Sequence, residues 1–468
     1  CTVAPLALPS GAAVACAGQG PEGGLCLPVA DVVVEDLGAP LWRPPAAVAA
    51  FEQESSFADL LFQPGGLKPL AEALRKRQCR LCVLGGSISL QKAGYRTHLV
   101  RALERRGVKV EDVSVAVGAA GSKPLSLVVG EAVVAKKPDL LIVEVAVNDG
   151  DELLENTPRP DVVGVLRGAE GIARTVRRRC PGCSVLFLEM FLRDDTDEAR
   201  VLKTGSEAWR DSDVGDAVGW YHEVAPRLHR HVCCQYGLAQ ADLVPAMRSL
   251  PAETRQQWFR DDCHHTDVGG EKLGNLVARL LLWAVRQQAP LGLGARIPEP
   301  LDGRCWCNGR VMRVNRGWVS PECETRPEKD PLDLHARADW LLLRAGGVAT
   351  VPFRGRACGL VTLLGPDAPI LRVRVDGGPA RTLRLLDRWC YYWRDAVLLL
   401  CEGMSDGTHT VELEVDPEPP NHQVLKRAPS GPSAALWEQF SSQARGAGRP
   451  PQQLWLLYAC AVEGDRQA

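Results

Sequence analysis

The chain has 468 residues. Because a single hydrophobic core usually supports about 100–200 residues, we expect two or three folding units. Its 55 basic and 57 acidic residues leave a net charge of −2 and no broad positive field, which excludes nucleic acid as a predicted partner. With 46% hydrophobic and 24% charged residues, the composition is that of a folded globular chain rather than a disordered one.

The sequence predicts no membrane span, because the best candidate, Leu276 to Leu293, is interrupted by Arg279 and Arg286. Several of the 17 cysteines lie in loop-rich segments, which favours a secretory location, where disulfides form. The odd number of cysteines and the lack of an Asn-x-Ser/Thr glycosylation sequon argue the other way. The pairing of the cysteines and the oligomeric state stay open.

Composition divides the chain into four segments. Gly and Pro concentrate near the N-terminus, around residues 287–332 and near the C-terminus, as is typical of linkers and loops. We expect a Cys-containing N-terminal extension with a lead-in helix at 1–78, an α/β domain at 79–292, a Cys-containing linker at 293–336 and a β domain at 337–468.

The segment from Cys79 to Leu291 alternates short apolar runs with longer amphipathic ones. This pattern predicts a parallel sheet covered by helices on both faces, in a three-layer α/β/α arrangement. The predicted strands are Arg80–Leu84, Lys109–Val117, Asp139–Val147, Ser184–Phe191 and Ala239–Val244. The predicted helices are Leu90–Arg106, Asp161–Arg179, Val218–Tyr236 and Glu271–Gln288.

After Pro331 the pattern changes to short alternating segments separated by glycine-containing turns. Alternation with a period of two predicts an antiparallel β-sandwich. Residues near 428–453 show little periodicity and predict a mobile insertion before a last strand at Leu454–Val462. The earlier predicted strands are Gly347–Phe353, Gly359–Leu364, Ile370–Val375, Thr382–Leu386 and Thr408–Val415.

Candidate catalytic groups follow three of the predicted parallel strands. Ser87 comes after two glycines, Gly118 lies in a Gly-Ala-Ala-Gly turn, and Asn148 follows the third strand. Ligands bind at the carboxyl ends of the strands in open α/β sheets, and exposed backbone N–H groups there can stabilise an oxyanion. Each motif alone is also compatible with an ordinary cap or turn.

A fourth motif, Asp261-Asp262-Cys263-His264-His265, precedes the last predicted helix of the α/β domain. An acid three residues before a histidine can bind its Nδ1 and leave Nε2 free as a base. The doubled Asp and doubled His allow two registers, Asp262 with His265 and Asp261 with His264.

Together, Ser, Gly, Asn and Asp-x-x-His in this order resemble the SGNH (GDSL-type) hydrolase family. The resemblance covers about Cys79 to Leu291 and implies a flavodoxin-like fold. It makes Ser87 the nucleophile and makes the backbone N–H groups of Ser87 and Gly118, with the Asn148 side chain, the oxyanion hole. It also makes His265 the base and Asp262 its orienting partner, because the following helix then lies at the usual distance.

The chain departs from the common family pattern at three positions. Gly86 stands where the first block usually has Asp, and Ala146 stands where the third block usually has Gly. Thr266 follows the histidine in place of Pro. Since the first two changes spare the triad, they are compatible with activity, whereas the third leaves the register Asp261 with His264 open.

The resemblance predicts a serine esterase that hydrolyses an O-acyl ester, expected to be acetyl, on a carbohydrate, with a small-molecule or polysaccharide ester as substrate. No metal or cofactor is expected. Two alternatives remain, an acyltransferase that uses the same triad and a non-catalytic glycan-binding protein on the same scaffold. Acyl chain length and the alcohol stay open.

Three residue clusters allow other interpretations. The histidine and cysteine residues around Cys263 could bind a metal, but adjacent histidine side chains diverge. The pairs Cys79-x-x-Cys82 and Cys180-x-x-Cys183 are better explained as buried thiols than as a zinc site. The segment Trp389–Trp393 is interpreted as a strand whose aromatic side chains either stack on sugars or belong to the core.

Overall fold

The structure is a computed structural model. It describes residues 57–62, 67–155, 161–193, 218–248, 250–261, 263–287, 296–328, 330–332, 334, 338–387, 389–418, 420–421, 424–425 and 452–462. Asp262, most of the N-terminal extension and the predicted insertion up to residue 451 lie outside these residues. No helix in the described residues has both the length and the apolar character to cross a membrane.

The first part of the chain forms one mixed sheet with helices around it. Its strands are β1 (Leu61–Phe62), β2 (Gln78–Gly85), β3 (Lys109–Asp112), β4 (Val115–Ala116), β5 (Leu140–Glu144), β6 (Ser184–Glu189) and β7 (Ala239–Asp242). Its helices are α1 (Phe57–Leu60), α2 (Lys68–Arg75), α3 (Ser87–Leu90), α4 (Tyr95–Glu104), α5 (Ser122–Ala132), α6 (Ala146–Glu155), α7 (Val162–Arg179), α8 (Val218–Tyr236), α9 (Val244–Arg248), α10 (Ala252–Trp258) and α11 (Asp267–Arg286).

The strand order β1-β7-β6-β5-β2-β3 confirms the predicted α/β fold. The strands β7, β6, β5, β2 and β3 are parallel to one another. Strand β1 pairs with β7 in the antiparallel direction. Strand β2 lies between β3 and β5, so the chain runs to one edge through β3 and to the other through β5, β6 and β7. This order is flavodoxin-like, and it places the topological switch point between the carboxyl ends of β2 and β5.

Two predicted strands are shorter than their apolar runs suggest. The run Lys109–Val117 is divided into β3 and β4, which both pair with β2. The run Asp139–Val147 ends as a strand at Glu144, because α6 begins at Ala146. A buried strand and a buried first helical turn are both apolar, so periodicity does not separate them.

Helix α5 is absent from the sequence-based prediction. Nearly all of its side chains are buried, including Leu125, Leu127 and Val128. A helix that is buried on nearly every side has only a weak amphipathic period to recognise. It is covered by the parallel sheet and α7 on one side and by the β domain on the other.

The second part of the chain consists of antiparallel sheets that share a core. The strands are β8 (Gly309–Arg313), β9 (Glu324–Glu328), β10 (Ala338–Arg344), β11 (Val348–Arg354), β12 (Ala357–Leu364), β13 (Ile370–Val375), β14 (Arg381–Arg384), β15 (Arg394–Cys401), β16 (Thr408–Val415), β17 (Gln453–Leu456) and β18 (Tyr458–Val462). They form the sheets β17-β10-β9, β11-β16-β13-β14 and β15-β12-β18-β8. A β-rich second domain is confirmed.

Two segments of the expected linker pair with this β domain. Strand β8 adds to the edge of β18, and β9 pairs with β10. The Trp389–Trp393 segment is not a strand as interpreted above, because its residues form a turn that leads into β15. Aromatic and other residues alternate in this sequence by coincidence, because a turn imposes no fixed side-chain period.

The chain between the two parts docks closely on α7. A Cβ built on Gly171, in the middle of this helix, would lie 2.4 Å from the carbonyl oxygen of Trp306. The backbone N–H of Trp306 donates to the carbonyl of Arg167 at 3.2 Å. A glycine is therefore needed where the backbone of the connecting segment touches the helix.

We expect Gly171→Ala to lower the free energy of unfolding by about 1–3 kcal/mol, because the added methyl overlaps the Trp306 backbone. In a helix without such a contact, replacing glycine by alanine raises the free energy of unfolding by roughly 1 kcal/mol. A decrease would therefore indicate the overlap with Trp306. Urea denaturation measures it. Gly182→Ala, where a Cβ meets nothing within 4 Å, is the control. Equal or greater stability of Gly171→Ala would contradict the docking.

Candidate active site

The residues predicted from the strand-end motifs meet at the switch point of the sheet. Ser87 begins α3 directly after β2, and Asn148 lies in the first turn of α6, directly after β5. Gly118 is in the loop between β4 and α5. Ser87 and Asn148 are half-buried and Gly118 is buried. Parallel strands bring these groups together because their carboxyl ends share one edge.

His264 binds the Ser87 side chain. Its Nε2 lies 2.8 Å from Ser87 Oγ, and its Nδ1 lies 2.9 Å from both carboxylate oxygens of Asp261. The backbone N–H of His264 also donates to Asp261 Oδ1 at 2.8 Å. These contacts arrange a hydroxyl, an imidazole and a carboxylate in the order that activates a serine nucleophile.

The expectation that His265 lies beside Ser87 is therefore wrong, and Asp262 is outside the described residues. The His265 ring is 2% exposed and packs on the Phe259 ring with centroids 5.0 Å apart. Burial, and next the neighbouring charge of His264, lower the pKa of His265 to about 3. Such a ring stays neutral at physiological pH, and the Ser87 hydroxyl is bound by His264 instead.

Backbone pairing explains why His264 rather than His265 faces Ser87. Phe259 and His265 form an antiparallel bridge, and the Arg260 N–H donates to the His264 carbonyl at 2.9 Å. The Gln91 amide holds His265 from both sides, accepting from its N–H at 3.1 Å and donating to its carbonyl at 3.0 Å. Successive side chains in extended backbone point to opposite faces, so burying one ring exposes the other.

Asp261 is suited to hold the proton on His264 Nδ1. Partial burial alone raises the pKa of its carboxyl group, but hydrogen bonds from the His264 and Cys263 N–H groups and the charge of His264 outweigh this and lower the pKa below its ordinary value. Asp261 is therefore ionised at neutral pH. An ionised acceptor fixes the tautomer that leaves Nε2 free to accept the serine proton.

Asn148 fits closely against Gly86. A Cβ built on Gly86 would lie 2.0 Å from Asn148 Nδ2, so any larger residue would displace the amide. Asn148 Nδ2 donates one hydrogen bond to the Ala120 carbonyl at 3.0 Å, which fixes the amide beside the loop that contains Gly118. The glycine that replaces the usual family Asp thus makes room for this arrangement.

The loop between β4 and α5 has a strained backbone. Ala119 has a φ of 56°, in the left-handed region that costs a residue with a side chain about 1–2 kcal/mol. The following Ser122 N–H donates to Asp149 Oδ1 at 2.7 Å and anchors the loop to α6. Strain of this kind is retained where the surrounding contacts fix a functional backbone.

A buried charged cluster supports this anchor. His229 Nε2 lies 2.9 Å from Asp149 Oδ2, and His229 Nδ1 lies 3.0 Å from Glu189 Oε2. Burial alone would lower the pKa of His229, but the Glu189 charge and the hydrogen bonds with both carboxylates raise it to about 10. The sequence analysis did not identify His229 as a site residue, because its two partners lie on elements that are distant along the chain.

The β domain touches the same loop through Arg394, which the sequence analysis missed. Arg394 is 8% exposed, donates from Nη1 to the Gly118 carbonyl at 3.3 Å and pairs with Asp387. A cleft of about 610 Å³ runs between the two parts of the chain. Its lining residues include Gly118, Asn148, Leu385, Asp387, Trp389 and Arg394.

A second Ser-His-Asp arrangement lies in the β domain. His409 Nδ1 is 2.7 Å from Asp376 Oδ2, and its Nε2 is 3.2 Å from Ser405 Oγ. The Asp376 hydrogen bond raises the pKa of His409, and Nε2 lies 3.0 Å from the Ser405 carbonyl oxygen. A carbonyl only accepts, so Nε2 carries a proton and this histidine holds a turn rather than activating Ser405.

The four thiols considered for zinc are not gathered into a metal site. In the part of the chain that the structure describes, only Asp261, Cys263 and His264 bring three donor atoms within 4.8 Å. No disulfide bond joins any two of the described cysteines. Burial, and secondarily the charge of Asp139, raise the pKa of Cys79 to about 12, as expected for a buried structural thiol.

Known proteins share parts of this sequence and fold. The sequence profile of the GDSL-like Lipase/Acylhydrolase family matches residues 83–272. No curated protein sequence matches the chain significantly. A solved two-domain esterase active on acetylated mannans is 14% identical with a TM-score of 0.61, over 88% of this chain and 99% of that one.

Two further solved structures match less of the chain. An acetyl xylan esterase has 17% identity and a TM-score of 0.34 over 44% of this chain and 99% of its own. A catalytic mutant of an acetylxylan esterase from Geobacillus stearothermophilus has 13% identity and a TM-score of 0.34 over 43% of this chain and 94% of its own.

The two-domain esterase, with a TM-score of 0.61 over 88% of this chain, shows that both parts of the chain share its fold. The matched profile begins within β2, before Ser87, and ends within α11, after His264, so it spans all the strand-end motifs. Residues 83–272 of this chain therefore form a domain of the GDSL-like lipase/acylhydrolase family, whose members are carboxylic ester hydrolases.

Proposed function

We propose that this protein is a serine esterase that hydrolyses a small O-acyl ester, such as an acetyl ester, on a carbohydrate. The contact that carries the catalytic part is His264 Nε2 to Ser87 Oγ at 2.8 Å, with Asp261 on the other ring nitrogen. A non-catalytic role gives no physical reason to keep these three groups aligned.

In the proposed reaction, Ser87 Oγ attacks the ester carbonyl while His264 Nε2 takes its proton. The tetrahedral oxyanion accepts hydrogen bonds from the Ser87 and Gly118 backbone N–H groups and from the Asn148 amide. Protonated His264 then gives its proton to the leaving alcohol. Water repeats the sequence on the acyl-enzyme and releases the carboxylic acid, and Asp261 holds the imidazole in orientation throughout.

The carbohydrate part of the proposal rests on the cleft. Its volume of about 610 Å³ is within the range of about 300–1,000 Å³ that ligand sites occupy. It reaches the candidate oxyanion hole at Gly118 and Asn148 and extends to Trp389 of the β domain. An aromatic face packs on the apolar C–H surface of a sugar. The two-domain esterase of similar fold is active on acetylated mannans and was also crystallised with mannopentaose.

A fluorophosphonate probe should label one serine, Ser87, because only a hydroxyl next to a free imidazole base attacks it. Mass spectrometry of the digested protein locates the label. Ser87→Ala should abolish labelling. Ser405→Ala is the matched control, since it removes the other serine beside a His-Asp pair, and it should leave labelling intact. A label that persists in Ser87→Ala would remove Ser87 from the role of nucleophile.

His264→Ala should lower kcat for an aryl acetate by a factor on the order of 10⁴ or more, because no other base among the described residues is hydrogen-bonded to Ser87. His265→Leu should turn over substrate like the wild type. It should be as stable or more stable, because both His265 ring nitrogens are buried with no hydrogen-bond partner in the described part of the chain. Steady-state kinetics and thermal unfolding measure the two effects. Loss of turnover in His265→Leu with His264→Ala active would restore the opposite register.

Trp389→Ala should raise KM for an acetylated oligosaccharide about tenfold, equivalent to roughly 1.4 kcal/mol of lost stacking, and leave kcat/KM for a small aryl acetate unchanged. Tyr392→Ala is the control, because Tyr392 is an exposed neighbouring aromatic residue outside the cleft lining. Equal KM values for Trp389→Ala and Tyr392→Ala on the oligosaccharide would rule out this wall of the cleft as a sugar-binding surface.

A further inference from the structure

Three side chains of metal-binding type meet next to the candidate base. Asp261, Cys263 and His264 offer a carboxylate oxygen, a sulfur and an imidazole nitrogen that all lie within 4.8 Å of one another. His264 Nδ1 is 2.9 Å from Asp261 Oδ1 and 3.6 Å from Cys263 Sγ. Around a tetrahedral zinc ion, with bonds of about 2.0 Å to N or O and about 2.3 Å to S, neighbouring ligand atoms are roughly 3.3–3.7 Å apart.

The cluster is open to ions from solution. The Asp261 side chain is 46% exposed and that of His264 is 18% exposed, and Cys263 is half-buried. All three are close in sequence, and the N–H groups of Cys263 and His264 both donate to Asp261 Oδ1. Cys263 Sγ also lies 4.0 Å from His264 Nε2, so a metal on Nδ1 would bind with a rotation of the Cys263 side chain.

We propose that Asp261, Cys263 and His264 form a binding site for Zn²⁺ and that the bound ion inhibits the enzyme. The ligand set fits this cation, because Zn²⁺ accepts thiolate, imidazole and carboxylate together, and water completes the fourth position. The thiolate and the carboxylate balance the two positive charges of the ion. The binding part stands on this geometry, and the inhibition part rests on the proposed function.

The chemistry of the imidazole explains the inhibition. Zinc takes the lone pair of His264 Nδ1, so the ring proton of the neutral imidazole resides on Nε2, the atom that faces Ser87 Oγ. A protonated Nε2 donates to the hydroxyl and no longer accepts its proton. The Cys263 thiol loses its proton to solvent when it binds. Asp261 at the same time turns from orienting partner to metal ligand.

One nearby cation opposes binding. Arg260 Nε lies 3.7 Å from Asp261 Oδ2, but its side chain is 60% exposed, so solvent screens its charge. The Asp261 carboxylate has a second oxygen for the metal.

Binding is tested with Cd²⁺, a substitute for Zn²⁺ whose bond to a thiolate gives an ultraviolet charge-transfer band. Titration of the full chain should give a band that is reduced in Cys263→Ala and in Cys263→Ser. Cys234→Ala is the control, because Cys234 is an exposed thiol on α8 away from the site, and it should keep the Cys263-dependent band. An identical band in the wild type and both Cys263 variants would overturn the proposal.

Inhibition is tested by the rate of fluorophosphonate labelling at Ser87. Zn²⁺ should slow labelling of the wild type, and a chelator should restore it. The Zn²⁺ concentration for half-inhibition should rise at least about tenfold in Cys263→Ala, since even outer-shell partners change metal affinity by about 10- to 100-fold. Equal Zn²⁺ sensitivity would overturn the inhibitory role. If Ser87 is not labelled without metal, the proposed esterase fails, whereas the cadmium band still decides the metal site.

Discussion

The arrangement of this protein depends on the burial of one helix, α5, between its two parts. Its apolar side chains pack toward the parallel sheet and α7 and also toward β12, β15 and β18 of the β domain. Strand β8 passes so close that a Cβ on Gly309 would lie 2.4 Å from the Ser126 carbonyl. Because the helix is held from both sides, the loop that precedes it, with Gly118 and strained Ala119, has a fixed position.

The buried charged cluster fixes the other half of the candidate oxyanion hole. Asp149 is fully buried, accepts from Ser122 at the start of α5 and bonds to His229. The neighbouring residue in the chain is Asn148, so the cluster determines where that amide points. A doubly protonated His229 donates from both ring nitrogens, one to each carboxylate, so removing the histidine would leave two buried carboxylates without their charged partner.

The β domain takes part in the site rather than lying beside it. Arg394, at the start of β15, donates to the Gly118 carbonyl, and Trp389 in the preceding turn lines the cleft. A backbone carbonyl held by a guanidinium keeps the peptide plane of the loop in one orientation. The proposed esterase thus uses the second domain both to order the loop and to form one wall of the substrate cleft. The proposed zinc site is elsewhere, at His264, the proposed base that contacts Ser87.

The sequence by itself determined the parallel sheet and the strand-end groups Ser87, Gly118 and Asn148, because apolar periodicity and turn residues are local and parallel strands share one edge. It did not determine which histidine faces Ser87. Two adjacent histidines cannot be told apart by the sequence pattern alone. Contacts with Phe259 and with Gln91, which lies 174 positions before His265, bury His265 and leave His264 to face Ser87. It also did not reveal α5, since a helix buried on nearly every side has only a weak amphipathic period. The cleft, Arg394 and the Asp149–His229–Glu189 cluster were decided only by the tertiary structure, because each joins elements that are distant along the chain.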